Sequence, residues 1–259
     1  NGRAEKIIGN SFTNISRDKI ILSTKVGLYK KSGRKDLFNF SKEFIKKQLN
    51  SSLKRLKTNY IDILFLHSPT KKNCLNIKET FDFMEQMKKL KKIRYSGISP
   101  KTPEDGLYIL KKKRFDFVQV NMNLIDQRVF DSGLYSYCLK NKIKIIARTP
   151  FNLGFLAGAP DINNIKKNKE FDHRSTWKLE QLKKWDEARK LFYKLKKKNS
   201  IANFALLYCI SFKGVASVIP GMMSKSEILE NIKVLRKKDL TIITLKKIRE
   251  IYKKNTFLV

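Results

Sequence analysis

Polar side chains close four apolar runs rich in β-forming residues. Lys25 closes the first, in STKVG, and His67 the second, in LFLHSP. Ser99 closes the third, in SGIS, and Gln119 with Asn121 the fourth, in VQVNMN. Arg148 and Phe151 follow a fifth run, in ARTPFNLGFLAG, and Pro220-Gly221 follow a sixth. Lysine and histidine move protons in catalysis. A barrel of alternating strands and helices builds its site at the C-terminal ends of its strands, where these residues stand. The stretch from Gly221 to Asn231 offers a different chemistry. A loop that leaves a strand and enters a helix at Ser224 turns free N–H groups and the positive end of the helix dipole towards an anion. Ser224 and Glu227 also spell a capping box, S-x-x-E, which is a structural use of the same residues.

The elements that must position these side chains alternate. Residues 20–26, 61–66, 94–98, 117–120, 143–147 and 215–219 read as strands. Phe44, Ile45, Leu49, Leu53 and Leu56 recur at helical spacing, as do Ile77, Phe81, Met84, Met87 and Leu90. Thr102 starts a helix with Pro103 at its first position and an acidic residue at the capping position. Further helices are predicted over about 132–140, 178–198, 200–212 and 244–254, with 150–173 irregular. Another starts at Ser224 and carries Ile228, Leu229, Ile232 and Leu235 on one face. The strands are continuous apolar runs without in-out alternation, the pattern of parallel strands covered on both faces. A doubly wound open sheet and a (β/α)8 TIM barrel short of two strands both satisfy it. No GxGxxG follows the first strand, which counts against the open dinucleotide-binding sheet. No repeat or linker divides the chain, so residues 1–259 read as one domain.

Composition narrows the function. The chain carries 57 basic and 23 acidic residues, a net charge of +34. Such a balance raises nucleic acid as a partner. The excess is mostly lysine, however, spread over nearly every segment in runs such as 111–113 and 196–198, where helix ends and exposed faces fall. No basic patch interleaved with aromatics stands out, so solvated surface is the expectation and nucleic acid is not. Cys74, Cys138 and Cys209 are far apart and odd in number, and His67 and His173 are the only histidines. A disulfide framework and a metal centre are therefore not expected, and a cytoplasmic, reducing compartment is. No run of 18 apolar residues suggests a membrane span, and the first ten residues have no apolar signal core. The first residue is Asn1, so the chain reads as processed or as a fragment.

The segments SLKRLKTNYIDILFLHSP, KKIRYSGIS, FDFVQVNMNLIDQR, IIARTPFNLGFLAG and SVIPGMMSKSEILENI resemble successive parts of an aldo-keto reductase, in the family's order and spacing. The resemblance runs from the first residues to about Val234. It implies a partial (β/α)8 barrel and hydride transfer between NADP or NAD and a small-molecule carbonyl substrate. The family works with an Asp, a Tyr, a Lys and a His. Lys25 matches the lysine, whose ammonium favours phenolate in the tyrosine. His67 matches the histidine that polarises the carbonyl, whose oxygen gains charge as hydride arrives. Ser99 and Gln119 match residues that hold the nicotinamide carboxamide. Pro100 stands where a helping Asn is usual, and Ser96 where an aliphatic residue is usual. Arg148 takes the place of a ring-stacking aromatic. The resemblance assigns Leu153, Gly154, Gly221, Ser224, Lys225, Glu227 and Asn231 to the rest of the cofactor. Lys225 would meet a 2′-phosphate, whereas a carboxylate at Glu227 suits a ribose diol, which leaves NADP and NAD both open.

The family's Asp and Tyr lie just ahead of the segment that begins Asn1-Gly2-Arg3. On this resemblance the chain lacks them, together with the first two strands, roughly 40–60 residues at the usual length of a strand–helix unit. The expectation is that residues 1–259 alone are inactive and poorly stable, with two open parallel edges. Aldehyde reduction at a normal rate by that chain would refute it. A non-catalytic cofactor-binding barrel of the same family and a basic nucleic-acid-binding protein are the alternatives. Oligomeric state and substrate identity are not legible.

Overall fold

The first of two compact units comprises Asn1–Val120 with Ser132–Lys144. Its strand β1 (Ser23–Val26) leads into a short antiparallel pair, β2 (Leu28–Tyr29) with β3 (Leu37–Phe38), which the apolar pattern did not announce. Then come β4 (Ile61–His67), β5 (Ile93–Ser99) and β6 (Phe117–Asn121), and the unit's sheet runs β1-β4-β5-β6, all parallel. The computed structural model describes residues 2–12, 14–30, 37–74, 77–158, 160–168 and 172–257.

Parallel strands need crossovers, and each follows from sequence. Helix Lys42–Leu56 buries Ile45, Leu49 and Leu56, and its N-terminus is capped by the Ser41 hydroxyl. Helix Ile77–Lys89 buries Ile77, Phe83, Met84 and Met87, while Leu90, read as part of its stripe, is 57% exposed beyond the helix end. Helix Pro103–Lys112 starts as predicted, with the Thr102 hydroxyl accepting from the Asp105 N–H at 3.1 Å. The helix expected from 132 begins at Leu134, after Gly133 in the left-handed region. The first strand starts at Ser23 instead of 20, and the Leu22 N–H just before it goes to the Asp62 carboxylate. The Asp62 carboxylate is 2% exposed and accepts from the Leu22 N–H at 2.8 Å, Arg17 at 2.6 Å and Arg94 at 2.8 Å. Both guanidiniums lie over the Tyr60 ring, at 4.0 and 4.5 Å.

Gly97 in β5 has a packing reason. A Cβ there would stand 2.5 Å from the Phe65 ring and 3.0 Å from the Phe117 carbonyl oxygen. Phe65 is fully buried and cannot swing away. Gly97→Ala is expected to destabilise the protein by about 1–3 kcal/mol, the cost of overpacking a dense core. Urea denaturation followed by far-UV circular dichroism reads it, and an unchanged midpoint would show that the ring gives way.

The second unit comprises Asn121–Asp131 with Ile145–Val259. Its strands β7 (Lys144–Arg148) and β8 (Val215–Ile219) are parallel, with Arg148 opposite Ile219. Helix Ile201–Ile210 is apolar on nearly every side and almost wholly buried. Three differences from the sequence reading stand out. The helix predicted over 178–198 is three pieces, Leu179–Ala188, a 3₁₀ turn Arg189–Phe192 and Tyr193–Lys196, and the Arg189 side chain donates to the Asp186 carbonyl at 2.8 Å at the first junction. The irregular stretch 150–173 contains helix Ile162–Lys167, capped by Asp161. Finally, helix Lys225–Lys233 buries none of its residues, and Ile228, Leu229 and Ile232 on its predicted apolar face are 42–52% exposed. Helical periodicity shows that a face exists, not what covers it.

Among the described residues six strands are parallel, four in the first unit and two in the second. No described helix is long and apolar enough to cross a membrane. All three cysteines are free and buried, and burial pushes the Cys74 and Cys138 thiols up to about 12, which makes them inert.

Candidate active site

In the first unit the sheet register decides which side chains meet. Lys25 lies opposite Phe65, and His67 opposite Ser99. Side chains two apart on a strand share a face, so Phe65 and His67 point the same way. Lys25, His67 and Ser99 therefore share one face at the C-terminal ends of β1, β4 and β5. The Lys25 ammonium stands 6.0 Å from the centroid of the Phe65 ring. β6 continues the row: Gly97 pairs with Phe117, and the Ser99 hydroxyl reaches the Gln119 Oε1 at 3.5 Å. Ser99 and Gln119 are each 2% exposed, and the Gln119 Nε2 is buried without a hydrogen-bond partner. Pro100 packs at 2.9 Å from where a Cβ on Gly106 would stand, so the proline takes part in seating the next helix.

In the second unit a cavity of about 990 Å³ is lined by Arg148, Leu153, Gly154, Gly221, Glu227 and Asn231, among others. These are six of the eight residues predicted for the cofactor outside the first unit's row. Ser224 and Lys225 do not line it. Ser224 caps its helix instead, its hydroxyl accepting from the Glu227 N–H at 3.3 Å. Glu227 completes a reciprocal cap by accepting from the Met223 N–H at 2.6 Å. The Asn231 Nδ2, one turn on, is buried and has no partner.

The loop after β7 is unusual backbone. Thr149, Asn152 and Leu153 have φ of 55°, 43° and 59°, and Gly154 follows at 99°. A β-branched residue in the left-handed region is an outlier that the surroundings must hold in place. Two residues unmarked by sequence reasoning do so. Asn123 donates from Nδ2 to the Thr149 carbonyl at 3.0 Å, and Arg174 donates from Nη1 to the Leu153 carbonyl at 3.1 Å. Arg174 is itself fixed by Asp172, through Nε at 2.9 Å and Nη2 at 2.6 Å. The only local signal for either was the polar N-x-x-D of NLID, in which the Asn123 Oδ1 accepts from the Asp126 N–H at 2.8 Å. Among the described residues, no cluster of His, Cys, Asp or Glu could hold a metal ion.

Comparison with known proteins bears on the family and the fold. The sequence model of the Aldo/keto reductase family matches residues 1–253. The uncharacterized oxidoreductase YqkF of Bacillus subtilis is 31% identical over 241 residues, 93% of this chain and 76% of that protein. The NADH-specific methylglyoxal reductase of Escherichia coli is 24% identical over 250 residues, 90% of this chain and 75% of that protein. Among solved structures, the holo form of the aldo-keto reductase AKR11C1 from Bacillus halodurans superposes with a TM-score of 0.79 at 26% identity, covering 96% of this chain and 78% of that one. The six parallel strands are those of a (β/α)8 barrel, and the chain belongs to the aldo/keto reductase family of oxidoreductases.

Proposed function

We propose that the protein is an NAD(H)-dependent oxidoreductase that reduces an aldehyde or ketone, or oxidises the corresponding alcohol, and that residues 1–259 belong to one partial barrel domain. The observation that carries this is the row Lys25, His67, Ser99 and Gln119 on one sheet face, ending in the unpartnered, buried Gln119 Nε2. A buried donor without an acceptor costs about 1–3 kcal/mol, and the carboxamide oxygen of a nicotinamide would relieve it. Within the second unit, the Asn231 Nδ2 is a buried donor that is likewise without an acceptor. These residues fit the cofactor, which when bound supplies the hydride. The chain's own groups do the rest. His67 donates to the carbonyl oxygen as it gains charge. Lys25 favours the ionised form of a phenol beside it, so that the proton is transferable near neutral pH. In the family that the chain resembles, this phenol is a tyrosine's and an aspartate pairs with the lysine.

The cavity's charges favour NAD(H). Glu227 and Glu230 line it and both are anchored, Glu227 on the Met223 N–H and Glu230 on the Ser200 hydroxyl at 3.2 Å. Carboxylates accept from a ribose diol and repel a 2′-phosphate. The name of the Escherichia coli relative, an NADH-specific reductase, points the same way for that protein. The test is nucleotide binding, followed by nicotinamide fluorescence. The protein is expected to bind NADH more tightly than NADPH, and Glu227→Lys to shift that ratio at least about tenfold towards NADPH. Tighter NADPH binding by the unaltered protein would overturn the nucleotide assignment. Binding of neither would overturn the whole reading.

A further inference from the structure

Within the second unit, the loop after β7 holds residues in a shape that their own types disfavour. Thr149 is β-branched and precedes Pro150, and each condition pushes a residue towards extended backbone with negative φ. Its φ is 55° nonetheless, and Leu153 at 59° is a second departure of the same kind. Thr149, Pro150, Phe151, Leu153 and Gly154 all line the cavity of about 990 Å³, so this loop is one of its walls. The Thr149 carbonyl is where the loop is pinned. It accepts from the Asn152 N–H at 3.0 Å, which closes a turn inside the loop, and from the Asn123 Nδ2 at 3.0 Å. The second donor comes from outside the loop and is itself fixed. Asn123 is 1% exposed, and its Oδ1 accepts from the N–H groups of Ile125 at 3.0 Å and Asp126 at 2.8 Å. Its own N–H donates to the Asp126 carbonyl at 3.1 Å. The amide cannot turn without leaving two N–H groups unmet. Asn123 does not line the cavity, and it reaches that wall only through Thr149.

We propose that Asn123 is a positioning residue for the nucleotide: by holding the Thr149 carbonyl it keeps residues 149–154 in their left-handed shape before the nucleotide arrives, so that the cavity wall is preformed. The assignment rests on the reading of this cavity as the nucleotide's. Released from Asn123, a loop of these residue types falls back towards extended backbone in most molecules. The nucleotide then binds only the fraction that keeps the wall, and apparent affinity drops by that fraction. The loss falls mainly on association, because the complex once formed has lost none of its contacts with the nucleotide. A residue that touches the nucleotide behaves in the opposite way, its removal showing chiefly in dissociation.

Asn123→Asp is the variant that tests this. It keeps an oxygen for the Ile125 and Asp126 N–H groups and, at about pH 8, sets a charged acceptor in place of a donor against the Thr149 carbonyl. Stopped-flow nicotinamide fluorescence on the full chain is expected to show NADH affinity weakened about tenfold or more, most of it as slower association. Adding Thr149→Gly is expected to recover most of that affinity, because glycine takes positive φ without strain. An asparagine that serves stability alone gives neither the association-side loss nor the recovery. Unchanged affinity in folded Asn123→Asp, a loss carried by dissociation, or no recovery with Thr149→Gly would each overturn the proposal. Amide hydrogen exchange on the unaltered protein decides the matter if Asn123→Asp does not fold. The peptide over 149–157 is expected to be protected before NADH is added, and protection that appears only with NADH would overturn the proposal. Binding of neither NADH nor NADPH by the unaltered protein sinks the reductase reading and this inference together. NADH binding that Asn123→Asp leaves unchanged sinks this inference alone.

Discussion

Replacing Asp62 by alanine is expected to destabilise the protein by about 2–3 kcal/mol, a loss of roughly a hundredfold in the folding equilibrium. The carboxylate is 2% exposed and serves three donors at once: the Leu22 N–H, Arg17 and Arg94. It joins the chain leading into β1 to the start of β4, so its loss leaves a backbone N–H and two guanidiniums without their acceptor. Breaking a buried ion pair by removing one partner ordinarily costs about 3–5 kcal/mol. The lower figure applies because Arg17 and Arg94 are 24% and 50% exposed at their side chains and keep their contacts with the Tyr60 ring. Arg17 also keeps the Tyr60 carbonyl at 3.1 Å and the Thr58 hydroxyl at 3.0 Å. Asp62→Asn retains the shape and an acceptor oxygen, so it is expected to cost less than alanine. Urea unfolding followed by far-UV circular dichroism checks both. An alanine variant within about 0.5 kcal/mol of the unaltered protein would mean that the triad contributes no more than an ordinary surface pair.

Replacing His67 by alanine is expected to lower the rate of the hydride-transfer step about 10²–10³-fold in the protein that turns over, the usual effect of removing one donor to a developing oxyanion. His67 lies opposite Ser99 on the face that also carries Lys25 and Phe65. NADH binding should hold, because that assignment gives the nicotinamide to Ser99 and Gln119. The measurement is single-turnover decay of NADH absorbance alongside a nucleotide titration. Equal losses in both would make His67 a structural histidine, and no loss in either would remove it from the site. Gln119→Leu is the complementary variant: it removes the buried, unpartnered Nε2, so it should weaken nucleotide binding while leaving stability unharmed or improved.

By itself the sequence determined what is local. Continuous apolar runs marked the parallel strands, and 215–219 matches β8 at both ends. Helical spacing found the crossovers, and the hydroxyls of Thr102 and Ser224 cap the helices whose starts they announced. Propensity, periodicity and caps depend on a few neighbouring residues, which is why they are legible. The ends of successive strands also named Lys25, His67, Ser99 and Gln119, because a parallel sheet collects its C-terminal ends on one side. The tertiary structure alone decided what depends on distant partners. Register put those four side chains on one face, and one step of slip would have turned each of them away. The left-handed backbone of Thr149 and Leu153 runs against their residue types, and Asn123 and Arg174 hold their carbonyls from outside the loop. Burial, likewise, belongs to partners: the same apolar spacing seats Ile45 and Leu49 in the core and leaves Ile228 and Ile232 in the open.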